Sequence, residues 1–271
     1  MQINYKYIID KLRNCGDMSK EIFYSNEKIK YEIKQDGTKF TNIEKIISNF
    51  LKKELHFKYP NISFYSEEES EKFNQIINDK TFFVVDPIDG TSSFIEKIPE
   101  FTINLSLVSG ENLLYSFIYS PIKNIFYYAN EEESFKIENN KKIRIKNLSN
   151  NLLEKYRVVS TKSKDELKKI KLVLKKNNIN SDLTCISSAL KFGMLAEGKY
   201  DIYIRRANIK LWDALAGFHI ANNADLFIMD NKGNNFLEYI IKRKYLNKIA
   251  KDHFRIDEFV IQNTDKLKVI F

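Results

Sequence analysis

The chain has 271 residues, of which 43% are hydrophobic and 30% charged, with only 8 Gly and 4 Pro. This composition excludes disordered and fibrous chains and predicts a substantial core, in one large layered domain or two closely joined halves. The net charge of +8 attracts anions of any kind, but the lysines are scattered, so the charge does not by itself indicate nucleic-acid binding.

Cysteine usage and hydropathy predict a cytoplasmic protein. Cys15 and Cys185 lie far apart and match no metal-ligand spacing, so neither a disulfide framework nor a zinc site is indicated. No run approaches the roughly 18 apolar residues of a membrane span, and the first residues lack the features of a signal peptide.

The first half of the chain predicts two helices followed by a largely antiparallel sheet. Hydrophobic residues recur at helical spacing over residues 8–23 and 43–55. Alternation predicts a strand over residues 29–34, and residues 81–85 form a β-rich run that ends in acid. Four more short strands are predicted over residues 102–108, 113–119, 125–128 and 135–137.

The second half alternates strands with helices, which is typical of an α/β arrangement. Strands are predicted at residues 157–160, near Thr184 and at 200–204, with helices at 165–176, 188–197 and 213–222. The polar segment 147–151 predicts a junction between an N-terminal α+β subdomain, residues 1–150, and a C-terminal α/β subdomain, residues 151–271.

The sharpest motif is Asp86-Pro-Ile-Asp89-Gly90-Thr91, where two carboxylates meet at the end of a predicted buried strand. We expect Asp89 to cap the following helix. Hard cations such as Mg²⁺ prefer oxygen ligands and keep positions for water and phosphate, which this arrangement permits. Gly90 and Thr91 would offer backbone N–H groups to a phosphate oxygen. The alternative for the motif alone is an ordinary turn with a helix cap.

Together with the later segment WDALAG, which begins at Trp212, this motif resembles the two signatures of the inositol-monophosphatase superfamily. The upstream Ser66-Glu67-Glu68 is similar to its third metal-ligand element. Within the superfamily the CysQ-type 3′(2′),5′-bisphosphate nucleotidases match best, through the segments FTINLS, YSP, SSALKF and AEG. The resemblance covers residues 5–262 and implies a layered αβαβα sandwich of the sugar-phosphatase type, with the metal site between two subdomains.

The resemblance also implies roles for individual residues. Two or three Mg²⁺ ions would be held by the carboxylates of Glu67, Asp86, Asp89 and Asp213 and by the backbone oxygen of Ile88. Catalysis would use Glu67, with Thr91 orienting the attacking water and Glu44 helping to take its proton. Inhibition by Li⁺ is expected on the same grounds. The residues implied for substrate binding are Gly90, Thr91, Ser160, Ser163, Lys191 and Arg205.

Alternatives remain for the basic residues, and the chain departs from the family in two regions. Lys191 could instead be an exposed lysine on a helix surface, and Arg205 and Arg206 a solvated pair. Glu44 replaces an aspartate and adds one methylene, so either the loop adjusts or activity is reduced. The family's glycine-rich turn after the Trp212 helix and its Gly-Pro-Thr approach to that helix are both missing.

The leading functional prediction is hydrolysis of the 3′-phosphate of adenosine 3′,5′-bisphosphate, or of its sulfated form, to AMP by metal-activated water. The alternatives are an inositol or other sugar phosphatase and a non-catalytic nucleotide-binding homologue, with a basic nucleic-acid-binding domain ranked last. The expected partner is a small phosphorylated nucleotide, with no nucleic acid and no integral membrane segment. Association with the cytoplasmic face of the inner membrane and the oligomeric state are left open.

Overall fold

The computed structural model of the protein describes residues 3–34, 37–69, 75, 78–147, 151–206, 209–267, 269 and 271. Within these ranges the chain forms eight α-helices and sixteen β-strands. The helices are α1 (Tyr5–Tyr24), α2 (Asn42–Lys58), α3 (Thr91–Ile95), α4 (Lys164–Lys176), α5 (Leu190–Ala196), α6 (Leu211–Asn222), α7 (Leu237–Ile240) and α8 (Arg243–Ala250). No helix in the described part of the chain combines the length and apolarity needed to span a bilayer.

The strands are β1 (Glu32–Ile33), β2 (Lys39–Phe40), β3 (Ser63–Ser66), β4 (Thr81–Asp89), β5 (Thr102–Ser109), β6 (Asn112–Ser120), β7 (Ile125–Ala129), β8 (Ser134–Glu138), β9 (Lys141–Ile145), β10 (Tyr156–Ser160), β11 (Ser181–Cys185), β12 (Ile202–Arg205), β13 (Ile209–Lys210), β14 (Phe227–Asp230), β15 (Arg255–Ile256) and β16 (Phe259–Gln262).

The first large sheet has the strand order β3-β4-β5-β6-β7-β8-β9. Only the β3–β4 pair is parallel, so the predicted antiparallel meander is confirmed. The amphipathic helices α1 and α2 cover one face, where Leu12 and Leu51 share a buried cluster with Val85. Asn4 caps α1 by accepting a hydrogen bond from the Tyr7 N–H.

The second large sheet has the order β11-β10-β12-β16-β14 and mixes parallel with antiparallel pairs. Helix α4 covers its outer face, with Ile170 and Leu174 in one buried cluster with Val158 and Ile202. The N-terminus of α4 is capped by Ser163, whose hydroxyl accepts a hydrogen bond from the Glu166 N–H.

Helices α5 and α6 lie between the two sheets. Helix α6 is apolar on nearly all sides, which is typical of a helix that is buried all round. On one side the Ser134 hydroxyl of the first sheet donates to the Ile220 carbonyl, and on the other Phe218 packs edge-on against Phe259 of the second sheet. The layers are therefore αβαβα, and the fold implied by the resemblance is confirmed.

Two glycines allow these central helices to approach their neighbours closely. A Cβ atom at Gly217 of α6 would lie 2.2 Å from the Phe192 ring of α5, and one at Gly193 would lie 2.2 Å from the Tyr127 ring of the first sheet. Neither ring can move easily, because both are buried. Helix, ring and sheet therefore pack at a distance that only glycine permits.

Some local predictions differ from the structure. The strand predicted at 29–34 is limited to Glu32–Ile33, and the helix predicted from residue 188 begins at Leu190, since Ser188 has a φ of +57°. The elements outside these predictions are strands β2, β3, β9, β13, β14, β15 and β16 and helices α7 and α8. The predicted boundary at residue 150 lies outside the described residues; the last strand of the first sheet ends at Ile145, and the first strand of the second sheet begins at Tyr156.

Candidate active site

A cluster of carboxylates forms at one edge of the first sheet. Strands β3 and β4 run parallel with Ser66 opposite Val85, so Glu67 and Asp86 follow at the same edge. Asp213 reaches this edge from the first turn of α6, where its carboxylate also accepts a hydrogen bond from the Lys210 N–H at 3.3 Å. Oxygen atoms of Glu67, Asp86 and Asp213 all lie within 4.8 Å of one another, an arrangement that could hold a metal ion.

The electrostatics of this cluster favour a cation. Burial and then the charges of Glu67, Asp89 and Asp213 raise the pKa of Asp86 well above its usual range. Burial, followed by the charges of Asp89 and Glu67, also raises the pKa of Asp213. For Asp213 the Arg205 charge opposes this rise without offsetting it, and the Lys34 ammonium lies 3.0 Å from Glu67, so basic groups compensate the cluster only in part. An all-oxygen donor set with uncompensated negative charge fits Mg²⁺.

Asp89 does not cap the following helix, contrary to the prediction. The N-cap of α3 is Gly90, whose φ of +88° is accessible to glycine at little cost. The Asp89 carboxylate turns towards the second half of the chain, where it accepts a hydrogen bond from the Ala189 N–H. Burial raises the pKa of Asp89, while the nearby Lys191 charge and hydrogen bonds from the Asn104 side-chain amide and the Ala189 N–H oppose that rise.

Glu44 reaches Thr91 despite belonging to a different element. It is the third residue of α2 and forms a capping box with Thr41, whose hydroxyl donates to Glu44 Oε2 at 2.6 Å. The Thr91 hydroxyl lies 2.8 Å from Glu44 Oε1 and 3.2 Å from the Ile88 carbonyl, so it can donate to either. Burial raises the pKa of Glu44 to about 7, against the hydrogen bonds from Thr41 and Thr91, which lower it.

Most of the predicted site residues line one cavity of about 560 Å³. It brings the carboxylate cluster together with basic and hydroxyl side chains from the second half of the chain. Its predicted members are Glu67, Asp86, Ile88, Asp89, Gly90, Thr91, Ser163, Lys191, Arg205 and Asp213. Ser160, also predicted to bind substrate, does not line this cavity. It ends β10, and its hydroxyl is buried without a hydrogen-bond partner among the described residues.

Lys191 is buried, so the alternative of an exposed surface lysine is wrong. Only 4% of the residue is exposed, and its ammonium donates to the Ser188 carbonyl and lies 5.4 Å from the centre of the Tyr203 ring. Burial lowers the pKa of Lys191 to about 8, although the Asp89 carboxylate opposes this change. The lysine is thus a cation held inside the cavity beside the carboxylates.

The two neighbouring arginines have different surroundings. Arg205 ends β12 and lines the cavity. Arg206 turns away from it, with its Nε 3.2 Å from a Glu258 carboxylate oxygen and its guanidinium 4.9 Å from the Phe271 ring centre. The two arginines therefore do not form a solvated pair, and only Arg205 is placed to meet a ligand.

The cavity lies where the two halves of the chain meet. Glu100, just before β5, accepts hydrogen bonds from the Ser187 N–H at 2.9 Å and from the Lys162 ammonium at 3.0 Å. The Ser188 hydroxyl donates to the Glu100 carbonyl, and the hydroxyls of Ser93 and Ser187 are 2.7 Å apart. We call these contacts the seam; they form one wall of the cavity.

The structure places several groups here that the sequence motifs did not indicate. They are the Lys34 ammonium, the amide of Asn104 beside Asp89, the Ala189 N–H, and Glu100 with Lys162 at the seam. For Asn104 the sequence carries no distinctive signal, because it falls in the polar phase of the alternating strand, together with Thr102 and Ser106.

Comparison with known proteins identifies the family. The sequence profile of the inositol monophosphatase family matches residues 5–264. The 3′(2′),5′-bisphosphate nucleotidase CysQ of Buchnera aphidicola is 32% identical over 224 residues, which are 80% of this chain and 82% of the relative. The structure of CysQ from Bacteroides thetaiotaomicron superposes with a TM-score of 0.71 at 22% identity, covering 95% of this chain and 96% of that one.

A structure described as an IMPase/NADP phosphatase complexed with Mg²⁺ and phosphate superposes with a TM-score of 0.75 at 20% identity, over 95% of this chain and 89% of that one. At this identity the likeness shows the fold alone. The resemblance drawn from the sequence motifs is confirmed by the match of the family profile over nearly the whole chain. The chain belongs to the inositol monophosphatase family.

Proposed function

We propose that the protein is a magnesium-dependent phosphomonoesterase that removes the 3′-phosphate of adenosine 3′,5′-bisphosphate, or of its sulfated form. The observation that carries this proposal is a single cavity in which a carboxylate cluster adjoins the buried Lys191 and Arg205. A nucleotide with two phosphates fits this pairing, because one phosphate can react at the carboxylates while basic groups hold the other. The relatives named 3′(2′),5′-bisphosphate nucleotidase support the same substrate class.

In this proposal two or three Mg²⁺ ions would be held by four carboxylates and one backbone carbonyl, those of Glu67, Asp86, Asp89, Asp213 and Ile88. Divalent cations bound there supply positive charge to the phosphoryl oxygens and make the attacking water more acidic. The number of ions and inhibition by Li⁺ remain predictions from the family resemblance.

Glu44 and Thr91 would take the proton of the attacking water. Glu44 accepts the hydrogen bond of the Thr91 hydroxyl, so the Thr91 oxygen keeps lone pairs with which to accept a hydrogen bond from water in the cavity. A carboxyl with a pKa of about 7 is matched to receiving a proton near neutral pH. As the bond between the water oxygen and phosphorus forms, the ester bond from phosphorus to the ribose oxygen breaks, and that oxygen takes a proton from solvent and leaves as the ribose hydroxyl. The longer Glu44 side chain still reaches Thr91, which supports activity rather than decay.

We assign the second phosphate to the basic residues that the second half of the chain contributes to the cavity. Lys191 and Arg205 would bind it, with Ser163 at the rim, while the backbone N–H groups of Gly90 and Thr91 would face the reacting phosphate. A cytoplasmic location stays a prediction outside this assignment, and an association with the inner membrane face and the oligomeric state stay open.

The proposed activity is tested by phosphate release from adenosine 3′,5′-bisphosphate and from inositol 1-phosphate, each with magnesium and with a chelator. We expect magnesium-dependent release from the nucleotide, with kcat/KM at least about tenfold above that for the inositol ester, because one added charge-assisted contact is worth about 1.5–3 kcal/mol. Preference for inositol 1-phosphate would instead identify a sugar phosphatase. Binding of the nucleotide without turnover of either ester would identify a non-catalytic homologue.

The neighbouring arginines provide a matched test of the second-phosphate assignment. Arg205→Met is expected to raise KM for adenosine 3′,5′-bisphosphate by about 10- to 100-fold, because a charge-assisted contact to the 5′-phosphate is lost. KM for adenosine 3′-monophosphate, which lacks that phosphate, should change by less than about threefold. Arg206→Met, outside the cavity, should change neither value. Equal losses on both substrates would contradict the assignment.

A further inference from the structure

Asn104 is the buried neighbour of the carboxylate cluster on the adjacent strand. Strands β4 and β5 pair antiparallel, with Asp86 opposite Asn104 and Asp89 opposite Thr102. Asp86 and Asp89 are three residues apart on β4, whereas their partners on β5 are only two residues apart. The extra residue of β4 therefore forms a β-bulge between Asp86 and Asp89. In a regular strand, residues three apart point to opposite faces. The bulge brings both aspartates to the face that carries Asn104.

The Asp89 carboxylate is held through one of its two oxygens. Asn104 Nδ2 donates to Asp89 Oδ2 at 3.0 Å, and the Ala189 N–H donates to the same oxygen from the second half of the chain. Because a carboxylate only accepts hydrogen bonds, the Asn104 amide must present its NH₂ group here. Two donors on Oδ2 leave Oδ1 of Asp89 for the cavity that this residue lines.

Packing alone does not explain an amide at this position. Asn104 is 1% exposed, and its Oδ1 has no hydrogen-bond partner in the described part of the chain. A buried, unpaired amide oxygen destabilises a fold, whereas an apolar residue of the same size would pack without that penalty. What asparagine supplies here, and an apolar residue would not, is the NH₂ group that contacts Asp89.

We propose that Asn104 is a positioning residue that fixes the orientation of the Asp89 carboxylate, so that Oδ1 is presented to the cation site. This inference rests on the proposed function only in taking Asp89 as a ligand of magnesium. Groups that orient a metal ligand commonly change metal affinity by about 10- to 100-fold when they are removed.

The test is Asn104→Leu, which removes the N–H donor at nearly constant volume, measured by calorimetric titration of the full chain with Mg²⁺. We expect the Kd for Mg²⁺ to rise at least about tenfold, and the magnesium concentration for half-maximal activity to rise in parallel. At saturating magnesium, kcat should change by less than about threefold, since the bound ion itself then orients Asp89.

Thr102→Val is the matched control, because it removes a buried hydroxyl without a described partner on the same strand, directly opposite Asp89. Its Kd for Mg²⁺ should stay within about twofold of wild type. If Asn104→Leu does not fold, as judged by circular dichroism, Asn104→Ala is titrated instead. Wild-type magnesium affinity in the folded Asn104 variant would overturn the proposal. Magnesium binding by a wild-type protein that hydrolyses neither ester would contradict the proposed function alone.

Discussion

Asp86→Asn is expected to lower turnover of the nucleotide bisphosphate at saturating magnesium by at least about 1,000-fold. Asp86 is the most buried of the clustered carboxylates, and its oxygen lies within 4.8 Å of ligand atoms of both Glu67 and Asp213. An amide keeps the shape of the side chain but removes the negative charge on which cation binding depends. Steady-state phosphate release and magnesium titration measure the loss.

The same substitution should stabilise the metal-free protein. Burial and the neighbouring carboxylates raise the pKa of Asp86, so its ionised form costs folding energy when no cation is bound. In the presence of a chelator, Asp86→Asn should therefore have a higher Tm than wild type. With magnesium, wild type should gain stability by binding and the order should reverse.

Asp201→Asn serves as the control for this reversal. Asp201 is similarly buried, but its carboxylate is paired with Arg157 at 2.7 Å and lies outside the cluster. Its replacement should lower Tm both with and without magnesium, because a satisfied ion pair is broken. A lower metal-free Tm for Asp86→Asn would contradict the view that the cluster carries uncompensated charge.

Gly217→Ala is expected to lower the free energy of unfolding by about 3 kcal/mol. The added Cβ would lie 2.2 Å from Phe192 Cγ, and that ring is enclosed by Tyr203, Phe218 and Phe259. The gain of about 1 kcal/mol from replacing glycine in a helix does not offset an overlap of this size. Denaturant unfolding of the metal-free protein measures the change. The same overlap explains, on packing grounds, why the segment that begins at Trp212 ends in the glycine Gly217.

A double-mutant cycle with Phe192→Leu separates the overlap from other effects. Leucine is smaller than the ring, so Gly217→Ala should cost at least about 1 kcal/mol less in the Phe192→Leu background than in wild type. Additive costs in the two backgrounds would show that Gly217→Ala is destabilising for a reason other than contact with this ring.

Local patterns predicted the parts of the fold that depend on neighbouring residues. The amphipathic helices and the β5–β8 meander could be predicted, because their periodicity lies within single segments. Strand β16 was not predicted, although it lies between β12 and β14, because its apolar run of three residues, 259–261, is too short to indicate a strand without its distant partners. The layered arrangement came from the family resemblance and not from periodicity.

In the candidate site too, only features that lie within one short segment could be predicted. The motif at Asp86 could be read as a cation site because its carboxylates lie within four residues. The orientation of Asp89 could not be predicted, since it depends on a bulge and on a donor from residue 189. Burial of Lys191 and the opposite directions of Arg205 and Arg206 likewise depend on tertiary packing that one sequence does not reveal.

The two halves of the chain, which meet at the seam, contribute different groups to the proposed site. Glu67, Asp86 and Asp89 come from the first sheet, whereas Lys191 and Arg205 come from the elements beyond it. On this assignment, the first half of the chain supplies most of the groups for hydrolysis, and the second half supplies the groups that select the substrate. We therefore expect substitutions along β12 and α5 to change which phosphate ester is preferred, while the carboxylate cluster stays unchanged.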